Sequence, residues 1–257
     1  MVKIGGATFG SHDTTLEDIV HLQKQGKPVV VVHGGAKVVS EWLSKRGIST
    51  RFIDGERVTD EATLDMVTAV LGGLVNKEIV ADINNLGGRA VGISGVDGAL
   101  IQGRIKSQEM GFMGTVVRVD TALLTALLQA GYIPVVAPVS LHSFDKPDKA
   151  PPLLNINGDP VAGEIAAAIG AEKLIFLTDV AGIRDQSGKL IPHLSPDEAE
   201  ALIASGVASG GMIPKIRACL VALPNASTTC IIDGKQPHAL LREIEGGGGG
   251  TTIGERE

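Results

Sequence analysis

The sequence predicts an α/β protein built around a parallel sheet, and three observations carry that prediction. Val29 to Val32 are four consecutive β-branched residues. A run without polar alternation fits a short strand buried on both faces. His33-Gly34-Gly35 follows, and then Val38, Val39, Trp42 and Leu43 recur at helical spacing. Strand and helix patterns go on alternating over most of the chain, and connection rules turn such alternation into parallel pairing.

Taken in order, Met1 to Ile4 form a first short strand that ends at the pair Gly5-Gly6, with Lys3 two residues before it. Asp13, Thr14 and Thr15 cap a helix over LEDIVHLQKQG, which Gly26 stops before the valine strand. This β-α-β unit places its two glycine turns at neighbouring strand ends on one edge. There, bare backbone N–H groups and a helix N-terminus can meet an anion, typically a phosphate. With Lys3 beside them the turns outline a phosphoryl-transfer site. One such turn by itself is equally a tight bend without a ligand.

The polar stretch GISTRFIDGERVTDEAT leads into a helical region from Asp60 to Asn85, with a kink expected at Gly72-Gly73. Arg57 precedes that helix, with Thr59 and Asp60 as capping residues. A guanidinium there can grip a carboxylate in two-pronged fashion or pair at the surface with Glu56 or Asp60. RAVGIS, from Arg89 to Ser94, fits a third buried strand, and the glycine-punctuated span that follows fits rim hairpins. Asp120 and Thr121 cap ALLTALLQAG, IPVVAPV is another core strand, and His142 to Pro152 form a proline-broken polar loop of the kind that covers or borders sites, or equally a loose rim loop.

In LLNINGDPVAGEIAAAIG, Asn155, Asn157 and Asp159 alternate along a short extended piece that enters an alanine-rich helix. Asp159 is the expected N-cap and Pro160 lies in the first turn. LTDVAG sets Thr178 and Asp179 at a strand's carboxyl end, as in a nucleotide loop. SPDEAEALIASG is helical, and Gly210 and Gly211 open a further helix with Lys215 in its first turns. TTCIIDG, PHALLREI and TTI complete the alternation, with a pentaglycine loop before the last strand.

The 257 residues, 44% of them hydrophobic, suffice for one domain or one sheet with two lobes. A net charge of −6 with scattered basic residues disfavours nucleic acid and anionic membranes, and 3% aromatics leaves no base-stacking platform. No apolar run approaches the roughly 20 residues that span a bilayer. The chain opens on a strand instead of a leader, so a soluble cytoplasmic protein is expected. Cys219 and Cys230, without CxxC spacing or clustered histidines, fit buried reduced thiols.

KIGG at 3–6, HGGAK at 33–37, GERVTD at 55–60, VNKEIV at 75–80, NINGD at 155–159, LTDVAG at 177–182 and GGMIPK at 210–215 resemble, in order, the amino acid kinase family. GERVTD, NINGD and GGMIPK resemble in particular its branch that phosphorylates the γ-carboxylate of N-acetyl-L-glutamate with ATP in arginine biosynthesis. The resemblance implies a three-layer αβα sandwich around an open, mainly parallel sheet with rim β-hairpins. It implies an amino-acid-binding and dimerisation lobe over 1–171 and a nucleotide-binding lobe over 172–257.

By the same resemblance Lys3 and Lys215 flank the transferring phosphoryl group and Asp159 orients both. The amides of Gly6 and Gly35, with Gly5 and Gly34 beside them, contact that group, and Arg57 and Asn155 bind the acid. Thr178, Asp179, Gly210 and Gly211 fall to the nucleotide, and Mg2+ is held mainly by ATP phosphates with no protein metal site. An acceptor carboxylate with an ordinary pKa of about 4.3 is already ionised, so no catalytic histidine is needed.

Two positions depart from the family pattern: Ala36 stands where a third glycine is usual, and Gly158 where alanine is usual. Met1 lies two residues before Lys3, short of the N-terminal helix that assembles arginine-inhibited hexamers, so a homodimer insensitive to arginine is expected. Related kinases acting on carbamate, UMP or a carrier-linked aminoadipate or glutamate are alternatives, as is a non-catalytic nucleotide or amino-acid sensor. The absence of a basic stripe weighs against an acidic carrier. Lys3, Lys215 and Asp159 together weigh against a sensor.

Overall fold

The structure, a computed structural model, describes residues 1–5 and 14–255; Gly6 and Asp13 lie outside the described residues. The chain begins with β1 (Val2–Ile4), α1 (Thr15–Lys24), β2 (Val31–His33) and α2 (Ala36–Lys45), then the hairpin β3 (Phe52–Ile53) and β4 (Glu56–Arg57). Next come α3 (Glu61–Val67), a π-helical stretch Thr68–Val75, α4 (Asn76–Asn85), β5 (Ala90–Ser94), β6 (Ile101–Ile105) and β7 (Met113–Val119). The middle continues with α5 (Ala122–Gln129), β8 (Ile133–Ala137), β9 (Val139–His142), β10 (Leu153–Ile156), α6 (Gly158–Ile169) and β11 (Lys173–Thr178). The chain closes with β12 (His193–Leu194), α7 (Pro196–Ala204), α8 (Met212–Ala222), β13 (Thr228–Asp233), α9 (Ala239–Ile244) and β14 (Thr251–Ile253).

An eight-stranded sheet, ordered β12-β14-β13-β11-β1-β2-β8-β5, forms the centre. Neighbours are parallel throughout except β13 and β14. The valine run is buried on both sides, as its composition requires. Val29 and Val31 pack into one core with α1, α2, α4 and α9, whereas Val30 and Val32 pack into a second core with α5, α6, α7 and α8. Ile175 and Leu177 divide from Leu174 and Phe176 in the same way. Two cores on two faces of one sheet make the three-layer αβα sandwich that was expected.

Three local expectations change. The span after β5 does not stop at rim hairpins: β6, β7, β9 and β10 close into a four-stranded barrel. The cause lies in IPVVAPV, where Pro138 cannot donate a ladder hydrogen bond. The chain therefore leaves the central sheet after β8 and starts β9 in the barrel. β5 itself is only half-buried, because it is the edge strand and pairs with β8 alone. The long helix is continuous through Gly72-Gly73, which sit inside the π-helical stretch instead of at a kink.

Candidate active site

Side-chain alternation on β1 decides where Lys3 goes. Val2 and Ile4 belong to the first core, so Lys3, in register with Val32 and Phe176, points to the α6 and α8 face. There its Nζ lies 2.6 Å from Asp159 Oδ1. Lys215 Nζ lies 2.8 Å from Asp159 Oδ2 and also donates to Gly211 O at 3.1 Å. Two ammonium groups distant in sequence thus meet on one carboxylate. Lys3 and Asp159 are 7% and 4% exposed, so little water screens the cluster.

Burial alone would raise the Asp159 carboxyl, but Lys3 and Lys215 together hold it below the usual carboxylate range. Asp159 is free for this because it is not the N-cap that the sequence suggested. Asn157 is the cap, its side chain accepting from the Asp159 backbone N–H at 3.0 Å. Packing brings Lys215 to that carboxylate. Gly163, one turn below Asp159, lies so close to α8 that an added Cβ would be 2.6 Å from Ala218 O. Small residues at such a contact let two helix backbones approach, and nothing in the sequence pattern marked Gly163.

A cleft of about 330 Å³ opens beside the cluster, lined by Lys3, the Gly34-Gly35 turn, Arg57, Asn155 and Gly158, with Phe52, Val67, Leu71 and Met113 as its apolar wall. Gly34 N–H is used on Ile4 O at 2.9 Å, whereas Gly35 N–H has no backbone acceptor among the described residues. Gly35 has φ +152°, and a Cβ there would lie 2.6 Å from Leu71 Cδ2, so only glycine fits.

The surface-arginine alternative for Arg57 fails. It is 6% exposed, donates through Nη2 to Ala36 O and Ser40 Oγ at 2.8 Å each, and lies over the Phe52 ring, 4.7 Å from its centroid. Its Nη1 is buried without a protein partner. Glu56 instead pairs with Lys106. Asp60 caps α3 as expected, accepting from Thr63 N–H at 2.8 Å, whereas Thr59 turns inward. Thr59 Oγ1 donates to Arg57 O at 2.9 Å and accepts from Asn155 Nδ2 at 3.0 Å, which fixes the Asn155 amide.

The remaining candidates lie apart from the cleft. Thr178 and Asp179 follow β11 on the same sheet edge as the glycine turns, but the Thr178 hydroxyl is engaged by Val180 and Ile232. Gly5 N–H is used on Leu177 O at 3.1 Å. Gly210 lines a neighbouring hollow of about 310 Å³ with Asp54, Glu56, Lys106, Pro160, Pro214 and Arg217. Gly211 holds Lys215 through its carbonyl.

Both departures from the family pattern are tolerated. Ala36 opens α2 and carries no positive φ. A Cβ on Gly158 would meet His33 O at 3.4 Å and Lys3 Cε at 3.6 Å, ordinary contacts that a methyl fills. Gly158→Ala is expected to raise stability by about 0.4–1 kcal/mol. Calorimetry should show that as a Tm higher by about 1–4 °C.

The sequence profile of the amino acid kinase family matches residues 1–233. An acetylglutamate kinase of Dehalococcoides mccartyi strain CBDB1 is 53% identical over 253 residues, covering 98% of this chain and 93% of that protein. One of Thermosynechococcus vestitus is 51% identical over 253 residues, covering 95% and 83%. The crystal structure of smu.665 from Streptococcus mutans UA159 superposes with a TM-score of 0.83 at 24% identity, covering 98% of this chain and 97% of that one. With the profile spanning most of its length and relatives above half identity, the chain belongs to the amino acid kinase family.

Proposed function

We propose that this chain transfers the γ-phosphoryl group of ATP to the γ-carboxylate of N-acetyl-L-glutamate, giving the acyl phosphate and ADP in arginine biosynthesis. The observation that carries this reading is the convergence of Lys3 and Lys215 on Asp159 beside a cleft holding Arg57 and the Gly34-Gly35 turn. A carboxylate oxygen of the acid forms a bond to the γ-phosphorus as the bond to the β-phosphate oxygen breaks, and ADP leaves with that electron pair. The acceptor is already ionised, so no proton moves. His33 is unsuited to be a base in any case: burial pulls its pKa down to about 4.

The difficulty is charge, since an anion meets a polyanion and the transition state spreads negative charge over the equatorial oxygens. Lys3, Lys215 and the Gly35 N–H answer it from fixed positions. Mg2+, where required, would be held mainly by the ATP phosphates and would supply further charge neutralisation there, because ammonium groups already engage both oxygens of Asp159. The unpartnered Nη1 of Arg57 donates to a carboxylate oxygen of the acid, and Asn155, whose Nδ2 donates to Thr59 Oγ1, accepts the acetamido N–H through Oδ1.

In this reading residues 1–171 hold the acid and 172–257 the nucleotide. Thr178, Asp179, Gly210 and Gly211 then lie toward ATP. A homodimer belongs to the same proposal, supported by an apolar surface hollow around Trp42, Met66, Val70 and Leu74, where Trp42 is 37% exposed. A cytoplasmic location is supported by the free thiols of Cys219 and Cys230, both pushed up to about 12 by burial. No helix among the described residues is long and apolar enough to cross a membrane.

A coupled ADP-release assay offered N-acetyl-L-glutamate, glutamate, aspartate, carbamate and UMP in turn is expected to show turnover with the acetylated acid alone. Turnover with carbamate or UMP, and none with the acetylated acid, overturns the reading.

A further inference from the structure

His33 ends β2 and is 0% exposed, yet phosphoryl transfer to a carboxylate gives it no work to do. Its surroundings are polar on both ring nitrogens. Nδ1 lies 2.8 Å from Gly34 O, and Nε2 lies 3.2 Å from Asn76 Nδ2. The Asn76 amide cannot be turned over. Its two Nδ2 hydrogens are shared among His33 Nε2, Ile93 O at 3.2 Å and Val135 O at 2.9 Å, and its Oδ1 accepts from Lys77 Nζ at 2.9 Å. An amide nitrogen has no lone pair to accept with, so Nε2 facing it carries no proton. A carbonyl oxygen facing Nδ1 requires a proton there. Both neighbours select the same neutral tautomer.

We infer that His33 is a positioning residue for the anion-binding turn: its Nδ1–H holds the Gly34 carbonyl inward and so turns the Gly35 N–H toward the transferring phosphoryl group. The link is the planar trans peptide, in which C=O and N–H of one unit point in opposite directions. Gly35 at φ +152° has no side chain to hold that plane, and the Gly34 carbonyl is its handle. Asn76 acts one step further back by fixing the imidazole. Burial is the main reason the ring stays neutral down to about pH 4, with the ammonium groups of Lys3 and Lys77 acting in the same sense against the Gly34 hydrogen bond. The ring therefore stays neutral over the working range, and its hydrogen-bond partners keep it in one tautomer. This role rests on the phosphoryl-transfer reading above, but the imidazole geometry does not.

Two isosteres separate the nitrogens. In His33→Asn the side-chain N–H sits where Nδ1–H was, whereas in His33→Gln the amide oxygen sits where Nε2 was, accepting from Asn76, and the Gly34 carbonyl loses its donor. Both variants leave a cavity and lose stability alike, so a Tm change does not discriminate between them. His33→Gln is expected to lower kcat by about 10- to 100-fold with KM nearly unchanged, the range a misplaced catalytic group gives, while His33→Asn recovers most of kcat. Equal kcat in the two variants, or a loss confined to KM, overturns the proposal.

Measurements on the wild type keep it decidable should either variant not fold. Imidazole 15N spectra are expected to show His33 protonated on Nδ1 and bare on Nε2. The Gly35 amide resonance is expected to move when MgADP, aluminium fluoride and N-acetyl-L-glutamate are added together. The opposite tautomer, or an unmoved Gly35 amide in protein that turns over the acetylated acid, overturns it. Wild-type protein without turnover on any acid refutes the proposed function instead, and leaves the tautomer result standing.

Discussion

Lys3→Met lowers kcat by about 10²–10³ while KM for both substrates changes by less than about threefold. Methionine keeps the unbranched apolar stem that packs in the second core, so the loss isolates the charge. An ammonium group that met only the ground-state substrates would raise KM and spare kcat. In the proposed reaction Lys3 stands where equatorial charge grows as the γ-phosphoryl group departs; the structure holds its Nζ 2.6 Å from Asp159 Oδ1. Steady-state kinetics on the purified variant checks the split. A kcat within threefold of wild type with a raised KM assigns Lys3 to binding.

The same variant carries a pH signature. In the wild type, burial works to raise the Asp159 carboxyl and two ammonium groups overcome it, so the folded pKa lies below the unfolded value of about 3.9. A depressed carboxylate contributes stability that is present above the unfolded pKa and is lost as pH falls through the folded one. With Lys3 gone, burial is unchanged and only Lys215 opposes it. The acid loss of both kcat and stability then begins at a higher pH than in the wild type. A pH–rate profile and thermal melts over the acid range measure the displacement, and coincident acid limbs count against an ion pair of this strength.

The sheet and the side of it to which Lys3 points were legible because they rest on short-range rules, whereas the pairing of Lys3 with Lys215 was expected only from the family resemblance. Four valines in a row admit only a doubly buried strand, and one β-α-β unit puts both glycine turns on one edge. Period-two alternation then sends Lys3 to the α6 face. What was not legible rests on partners distant in sequence. Thr59 looked like a cap, yet its hydroxyl meets Asn155, 96 positions away, and nothing near His33 in the sequence pointed to Asn76, 43 positions away, which fixes its ring. Asp159 was misassigned as a cap because Asn157 can make the same local bond, and only the pull of two ammonium groups decides between them. The barrel was hidden for a similar reason: Pro138 divides one apolar run between two sheets, and nothing local says where the second half goes.

Gly163→Ala tests whether helix approach, more than any single charge, builds the site. The added methyl would lie 2.6 Å from Ala218 O and 2.8 Å from Ala218 Cα, backbone atoms that no rotamer change can move aside. α6 and α8 must separate, at a cost of about 1–3 kcal/mol for overpacking. Asp159 is one turn from Gly163 and Lys215 one turn from Ala218, so the separation is delivered almost undiminished to the 2.8 Å contact between them. A displacement near 1 Å at a catalytic group lowers kcat by about 10²-fold, which places this core substitution among the most damaging in the protein. Ala218→Gly in the same chain should give no rescue, because the crowding is with backbone and not with the Ala218 methyl. Melting curves and kcat measured together check the coupling: a variant that loses stability but keeps kcat would show that Lys215 finds Asp159 without help from the helix contact.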